Sequence, residues 1–289
     1  MRESAERRST LVLGELRRDR HAGSCDRLMS QAAKNRVVII TGASSGIGHA
    51  TALQCVARGD NVIGTARRAD KLDVLARAAE GHDGTFVPVV ADVRSEESMQ
   101  AVVAEAMAHF GRVDVLVANA GIGHRGSLID AGWDDLEALL RTNIDGVLHS
   151  VRAVVPAMRA GGGGQIVIIS SVVYNLVAPY TAIYAASKAF VSSLAQSLRL
   201  ELEADGVHVV DVLVGRVETE FNAKRLGKGG RTASSFPSAM PVERAAEAVM
   251  RATYTRRRSL AIRWIDRLIM LGNRIVPDFI GRKARKQYR

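Results

Sequence analysis

Two residues that stand four apart, Tyr184 and Lys188, lie in the segment IYAASKAF, which favours helix. A phenol titrates near pH ~10 in water, so tyrosine is normally a poor acid and a poorer base at neutral pH. One helical turn brings such positions onto the same face, which places an ammonium beside the phenol. A nearby positive charge favours phenolate and lowers the tyrosine pKa. The pair predicts an acid/base site, although the same spacing also occurs on solvated helices.

Two further polar residues precede this pair. Ser171 stands thirteen residues before Tyr184 at the end of the apolar run IVIISS, and its hydroxyl can point at the oxygen that the tyrosine would protonate. An ordinary serine that closes a strand is the alternative. Asn143 lies in a long helical segment, where its side chain competes with the backbone for hydrogen bonds. We expect Asn143 to kink the helix or to hold a water on a proton path from Lys188 to solvent.

The elements that must position these groups alternate along the chain. From Arg36 onward, short apolar runs alternate with longer helical segments, and their near-continuous apolar character is typical of strands covered on both faces. We expect a further short strand near SLAIR, and two long helices, 133–160 and 180–205, on one face. The pattern predicts an α/β fold, a doubly wound parallel sheet of about seven strands in a single domain. The apolar runs are RVVII, NVIGTA, TFVPVVA, VDVLVA, QIVIIS and VHVVDVLV.

A glycine-rich turn follows the first of these runs. The segment VVIITGASSGIGHA lies between the first strand and a helix that begins near Ile47. Glycine permits a tight turn, and a helix N-terminus presents free N–H groups to a pyrophosphate. The spacing is GxxxGxG, whereas the common fingerprint is GxGxxG, but its place between strand and helix predicts dinucleotide binding. The residues expected at this turn are Gly42, Ser44, Ser45, Gly46, Ile47 and Gly48.

The end of the second strand indicates which dinucleotide binds. An acid about 20 residues beyond the glycines would accept the 2′-hydroxyl of NAD. The sequence has Ala66 at that place, followed by Arg67 and Arg68. Without the carboxylate nothing repels a 2′-phosphate, and a guanidinium forms paired charge-assisted bonds to it. Arg67 therefore predicts NADP(H), unless both arginines merely begin a solvated helix.

Two later strand ends complete the expected cofactor site. Asp92, followed by Val93, closes the third strand and either bonds the adenine amino group or caps a helix. Asn119, followed by Ala120 and Gly121, ends the fourth strand, where ligands bind in such sheets. We therefore expect Asn119 either to contact the cofactor or to lock the strand end.

Composition excludes several classes of protein. The chain carries a formal charge of +10, but residues 37–255 hold twenty Lys and Arg against twenty-three acids, so the excess lies at the two ends. A nucleic-acid domain would carry charge on its binding face, and 4% aromatic residues do not favour base stacking. No HxxxH pair occurs, so no metal site is expected. The cysteines, Cys25 and Cys55, indicate a reducing, cytoplasmic compartment without a disulfide.

The two chain ends differ from the body. Residues 1–34 are Arg-rich, and we expect a flexible basic arm without a signal peptide, followed by a catalytic domain at 35–262. Residues 263–289 are a basic amphipathic extension whose helix, Trp264–Val276, has a broad apolar side and charges that rule against spanning a membrane. Three possibilities stay open for it: packing over the substrate cleft or a partner subunit, peripheral contact with an anionic membrane, and plain core.

In order and spacing, the motifs TGASSGIG, NAG at 119–121 and YAASK, together with Asn143 and Ser171, resemble a short-chain dehydrogenase/reductase of the single-domain type over roughly residues 36–260. The resemblance implies a Rossmann-type fold and use of NADP(H). It also implies that Lys188 holds the nicotinamide ribose and that Val217 and Thr219 face the nicotinamide. We expect a homodimer or homotetramer. The implied catalytic tetrad is Asn143, Ser171, Tyr184 and Lys188, of which Ser171 and Tyr184 also contact substrate.

The activity that the resemblance implies is interconversion of a carbonyl and an alcohol on a hydrophobic small molecule. Tyr184 would exchange the proton with the substrate oxygen, Ser171 would orient that oxygen, and Lys188 would lower the tyrosine pKa. A non-catalytic Rossmann module that senses cofactor or scaffolds a partner is the alternative.

Two departures from the family pattern are Ala118, where the family has asparagine, and Val214 in place of a proline. The second leaves the start of the irregular loop 215–240 less constrained.

Overall fold

A computed structural model describes residues 35–229 and 238–287, which belong to one compact unit. The predicted arm, with Cys25, and part of the loop 215–240 lie outside the described residues. Strands β1 to β7 form one parallel sheet in the order β3-β2-β1-β4-β5-β6-β7, which confirms the predicted Rossmann-type fold. The strands are β1 Val37–Thr41, β2 Asn61–Ala66, β3 Phe86–Val90, β4 Val115–Ala118, β5 Gly164–Ser171, β6 Val207–Val214 and β7 Ser259–Ala261.

Helices cover both faces of the sheet, because each parallel crossover needs one. The helices α3, α5 and α6 pack against one face and α1, α2 and α7 against the other. Both faces are apolar, so the central strands are rich in Val and Ile and are fully buried. The helices are α1 Gly46–Ala57, α2 Ala69–Ala79, α3 Glu96–Phe110, α4 Trp133–Leu140, α5 Gly146–Ala160, α6 Ala182–Glu201, α7 Val242–Ala252, α8 Trp264–Ile275 and α9 Pro277–Gln287.

The segment 133–160, predicted as one helix, is instead two α-helices joined by a π turn at Arg141–Asp145. Asn143 lies in the middle of this turn and is fully buried. A π turn takes one more residue than an α turn and is frequently found at functional sites. The long helix expected at 133–160 is therefore interrupted at Asn143, the residue that was expected either to kink it or to hold a water.

The C-terminal residues form two helices, α8 and α9, of which only α8 was predicted. α9 begins at Pro277, where a missing N–H removes nothing from the helix. The buried side chains of α8 are polar: Asp266 and Asn273, which stand seven residues apart on one face. Among the described residues, no helix is long and apolar enough to cross a membrane.

Candidate active site

A cleft of about 1530 Å³ runs along the carboxyl ends of the strands. It includes the point between β1 and β4 where the strand order reverses, which is where ligands bind in open α/β sheets. The glycine turn after β1 lines one end of the cleft, and residues of α8 and α9 line the other. The polar groups singled out in the sequence lie between these two ends.

The glycine turn is shaped by close backbone contacts. Gly42 and Gly46 have φ of +69° and +58°, a conformation that disfavours a side chain. A Cβ on Gly48 would lie 2.5 Å from both Asn119 Nδ2 and the Gly42 carbonyl oxygen. The Asn119 amide itself donates to the Thr41 carbonyl oxygen at 2.9 Å. Asn119 thus ties β4 to β1, which is one of the two roles expected for it. The absence of side chains at Gly42 and Gly48 leaves room for that contact.

Neighbouring residues complete this end of the cleft. Ser44, Ser45 and Ile47 line it beside the glycines. The Ala120 N–H donates to Thr41 Oγ1 at 3.0 Å. Val93 is buried, and a Cβ on Gly146 would lie 2.6 Å from its Cγ2. The close packing holds the chain after β3 against the start of α5.

The arginines after β2 take different positions. Arg67 is exposed at the edge of the cleft. Arg68 extends over the glycine turn and donates through Nη2 to Ser44 Oγ at 2.9 Å and to Ser45 Oγ at 2.8 Å. Its Nη1 lies 3.6 Å from Glu220 Oε2. Sequence reasoning assigned the phosphate to Arg67 alone, so Arg68 is a second cation that it did not assign to the site.

Asp92 is not a helix cap, which contradicts one of its two possible roles. Ser95 caps α3, since its Oγ accepts from the Ser98 N–H at 3.0 Å. Asp92 instead pairs with Arg94, with Oδ2 and Nη2 2.7 Å apart. Burial acts to raise the pKa of Asp92, but the hydrogen bonds and charge of Arg94 outweigh it and lower that pKa. Asp92 therefore lines the cleft as a carboxylate.

Tyr184 and Ser171 meet in the middle of the cleft. Ser171 Oγ donates to the Val214 carbonyl oxygen at 3.0 Å. Burial raises the pKa of Tyr184, while a hydrogen bond with Ser171 and the charge of Arg225 act to lower it. The direction is opposite to the lowering expected from Lys188, because desolvation of the phenolate dominates. The phenol is therefore protonated at neutral pH and available as a proton donor.

Lys188 is almost fully buried on α6 and donates through Nζ to the Ile169 carbonyl oxygen at 2.8 Å. Burial lowers its pKa to about 8, against the opposing charge of Asp211. Asp211, on β6, accepts hydrogen bonds from Ser170 Oγ and, at 2.5 Å, from Ser192 Oγ. Sequence reasoning missed this carboxyl group, because nothing along the chain links β6 to Lys188.

Asn143 joins the loop after β4 to α6. Its Oδ1 accepts from the Ile122 N–H at 2.8 Å, and its Nδ2 donates to the Ile122 carbonyl oxygen and to Ser187 Oγ, both at 3.0 Å. A Cβ on Gly121 would lie 3.2 Å from Asn143 Oδ1 and 3.6 Å from Lys188 Nζ. The π turn thus places the Asn143 amide against the loop at Gly121 and Ile122, beside Lys188.

The loop after β6 contributes Val217 and Thr219. Val217 is buried in a parallel bridge to Met240. A Cβ on Gly46 would lie 3.2 Å from Thr219 Cγ2. Both residues line the cleft, and Thr219 lies over the glycine turn.

The substrate end is built by residues that the motifs do not include. The ring of Phe221 lies 5.9 Å from that of Tyr184, and the Arg225 guanidinium lies 5.7 Å from the ring of Phe221. On α8, Asn273 accepts from the Val177 N–H at 3.0 Å and donates to the Asn175 carbonyl oxygen at 2.9 Å. These contacts hold α8 over the cleft. The mainly apolar residues that line this end include Leu176, Val177, Leu268, Ile269 and Ile280.

The cleft fits a nicotinamide dinucleotide. Positive φ angles or close contacts exclude side chains at Gly42, Gly46 and Gly48, which leaves backbone N–H groups at a helix N-terminus for a pyrophosphate. Arg67 and Arg68, at the end of β2, line the cleft beside this turn. Within residues 35–229 and 238–287, no group of three or more metal-ligating side chains occurs.

Residues 36–228 match the short chain dehydrogenase family. The chain is 37% identical over 202 residues to a 3-oxoacyl-(acyl-carrier-protein) reductase of Thermotoga maritima, covering 70% of this chain and 82% of the relative. An alcohol dehydrogenase of Thermococcus sibiricus, solved with 5-hydroxy-NADP, superposes with a TM-score of 0.69 at 26% identity, covering 79% of this chain and 96% of its own. A 3-ketoacyl-(acyl-carrier-protein) reductase of Brucella melitensis, solved with NADH, superposes with a TM-score of 0.71 at 25% identity, covering 80% of this chain and 97% of its own.

The chain therefore belongs to the short chain dehydrogenase family and is an oxidoreductase. The two solved relatives contain different nicotinamide nucleotides, so the likeness identifies the class of cofactor and leaves the choice between NAD and NADP open.

Proposed function

We propose that this protein is an NADP(H)-dependent oxidoreductase that interconverts a carbonyl and an alcohol on a hydrophobic small molecule, with Tyr184 as general acid and base. One observation carries the proposal. Tyr184 and Ser171 line the same cleft as the buried Lys188, which stands one helical turn from Tyr184, and this cleft continues to the glycine turn.

The bound nicotinamide would supply or accept the hydride. Tyr184 gives its proton to the carbonyl oxygen or removes one from the alcohol, and reduction is the working direction we favour because NADPH is the usual reductive pool. Ser171 Oγ turns from the Val214 carbonyl oxygen to donate to the substrate oxygen. Lys188 holds the nicotinamide ribose with an ammonium that is largely protonated below pH 8. Asn143 holds the loop beside Gly121 through its bonds to Ile122.

The choice of NADP(H) is supported by the end of β2. Ala66 leaves no carboxylate at the position that would repel a 2′-phosphate. The two arginines that follow it differ in freedom: Arg67 is exposed, whereas Arg68 is bonded to the serines of the glycine turn. We assign Arg67 to the 2′-phosphate and Arg68 to the same phosphate from the side of the turn.

A hydrophobic substrate is supported by the apolar side chains that line the cleft near Tyr184.

We further propose that the enzyme works in the cytoplasm as a homodimer or homotetramer. Cys55 is a free, buried thiol, as expected for a chain without a disulfide. Ile129 and Trp133 are strongly exposed on the loop before α4 and at its start, and suit a subunit interface. Light scattering of the purified protein measures the assembly.

The direct test follows NADPH absorbance against a panel of ketones and aldehydes. Tyr184→Phe should lower turnover by ~10²–10⁴-fold, because the proton donor is lost, and should leave NADPH binding unchanged. The matched control is Tyr254→Phe, which removes a hydroxyl bonded to Asp60 away from the cleft and should keep full turnover. If the wild-type protein binds NADPH but reduces no carbonyl, the chain is a cofactor sensor.

A further inference from the structure

The amphipathic helix α8 lies with its polar side inward. Asp266 is buried in a bidentate pair with Arg263, with distances of 2.9 and 2.7 Å. A Cβ on Gly215 would lie 2.5 Å from Asp266 Oδ2, so the pair is packed tightly against the end of β6. Asn273 is fixed by its two bonds to the chain after β5. Since these contacts set the rotation of the helix, the side opposite Asp266 and Asn273 must face away from the protein.

The apolar residues of α8 form an exposed stripe. They stand at i, i+4, i+7 and i+11, which is one face of an α-helix. Their exposed fractions are high for large apolar side chains: Trp264 67%, Leu268 52%, Leu271 57% and Ile275 72%. This exposure contradicts the possibility that the extension is plain core. Val276 and Phe279 extend the stripe to α9 and are also exposed, and we call these six residues the outer face.

Basic side chains border the outer face. On α8, Arg267 and Arg274 are exposed and lie three or four residues from members of the stripe, so they share its side of the helix. On α9, the Nζ of Lys283 lies 5.2 Å from the centre of the Phe279 ring. Arg282, Arg285 and Lys286 are exposed on the same helix, and the exposed acid in the described part of α8 and α9 is Asp278. The outer face is therefore apolar with a strongly positive border.

A second copy of this chain does not suit such a surface. A two-fold interface pairs a patch with itself, so each basic border would meet another basic border. Repulsion between like charges opposes that arrangement. An amphipathic helix with an aromatic residue, leucines and isoleucine on one side and Lys or Arg along the edge is instead typical of helices that lie in the plane of a bilayer surface.

We propose that the outer face of α8 and α9 binds the surface of an anionic lipid bilayer. The stripe enters the boundary between headgroups and acyl chains, and the arginines and lysines contact lipid phosphates and carboxylates. Leu268 and Lys283 also line the cleft, so the bound bilayer lies beside the cleft entrance.

Flotation of the full-length protein with vesicles tests this proposal. The protein should float with vesicles of phosphatidylcholine containing phosphatidylserine and stay in the soluble fraction with phosphatidylcholine alone. Leu271→Glu combined with Ile275→Glu should lower binding by roughly tenfold or more, because two carboxylates would enter the apolar layer. Arg282→Glu combined with Arg285→Glu should do the same by reversing the border charge.

The matched control is Leu200→Glu, which changes an equally exposed leucine on α6 and should bind like the wild type. Every variant keeps residues 1–34, so the basic arm contributes equally to all of them. Equal flotation of the outer-face variants and the wild type would overturn the proposal. So would a dimer in light scattering that both outer-face variants dissociate, since the occupant would then be a second copy.

Tryptophan fluorescence gives an independent readout. The chain has two tryptophans, Trp133 and Trp264. In a Trp133→Phe protein, the emission of Trp264 should shift to shorter wavelength on adding anionic vesicles, because its ring leaves water. An unchanged spectrum in vesicles that bind the protein would place the contact elsewhere and overturn the proposal.

Discussion

The two ends of the cleft are built in different ways. At the cofactor end, backbone groups make the site: glycines without side chains, the start of α1, and Asn119 bonded to Thr41. At the substrate end, side chains make it, and they come from distant parts of the chain, as in the bonds from Asn273 to Asn175 and Val177. Backbone geometry constrains sequence strongly, whereas apolar side chains exchange for one another at small cost.

The contrast separates what the family shares from what belongs to this chain. The match to the family covers residues 36–228 and stops before α8 and α9. Changes at the cofactor end should therefore alter nucleotide binding, and changes at the substrate end should alter the Michaelis constant for the carbonyl. A change where the ends meet should alter the rate of the chemical step.

The largest effect is expected at the junction. Ser171→Ala should lower kcat for carbonyl reduction by ~10²-fold or more, because a donor to the developing oxyanion is lost, and should leave the Kd for NADPH unchanged. Ser170→Ala is the matched control. Its hydroxyl points to Asp211 instead of the cleft, so it should lower stability by about 1 kcal/mol with little change in kcat. A similar loss of kcat in both variants would argue against a direct role for Ser171.

At the cofactor end, Gly42→Ala should weaken NADPH binding by about tenfold or more, since the new Cβ lies 2.9 Å from Ala120 Cα and displaces the loop after β4. Gly81→Ala has a similar positive φ of +77° with nothing within 4 Å of the Cβ. It should cost about 1–2 kcal/mol of stability from backbone strain alone. Isothermal titration with NADPH and thermal unfolding compare the two, and equal NADPH affinities would break the contrast.

The choice of nucleotide sharpens the description of the same end. Arg67→Ala should weaken NADPH binding by about tenfold, the loss of one charge-assisted bond, and should change NADH binding less than about twofold, because NADH has no 2′-phosphate. Fluorescence titration with each nucleotide measures both. An equal loss for the two nucleotides would show that Arg67 does not contact the ribose phosphate.

The smallest effect is expected at the substrate end. Asn273→Ala removes the amide that holds α8 to the chain after β5, so the Michaelis constant for a hydrophobic carbonyl should rise about threefold to tenfold. The Kd for NADPH should not change. Arg274→Ala, at the exposed neighbouring position, is the control and should leave both constants unaltered. A weaker NADPH affinity in Asn273→Ala would show that the two ends are coupled.

The sequence predicted the strands and the glycine turn because their signals are local. A run such as VVIIT buried on both faces has few alternatives to a parallel strand, and the strand order follows from regular crossovers. The helix of α8 was also predicted from its period. Its rotation was not, because that depends on Asn175 and Val177, nearly a hundred residues earlier.

The electrostatics of the site were predicted less well for a related reason. Lys188 and Tyr184 are neighbours along the helix, which suggested that the lysine would lower the tyrosine pKa. Burial, which depends on the whole fold, acts on both groups: it raises the pKa of Tyr184 and lowers that of Lys188 to about 8. Asp211 reaches Lys188 only through the pairing of β5 with β6.

The π turn at Arg141–Asp145 makes this part of the chain sensitive to length as well as composition. Because the wide turn accommodates one extra residue, deleting one residue there would restore a continuous α-helix and leave α4 and α5 close to their present faces. Leu136 and Leu139, buried on α4, would then stay packed, whereas Asn143 would leave its bonding position beside Ile122 and Ser187. We expect point substitutions on the solvent side of this turn to be tolerated, and a one-residue deletion to keep the fold but to displace Asn143.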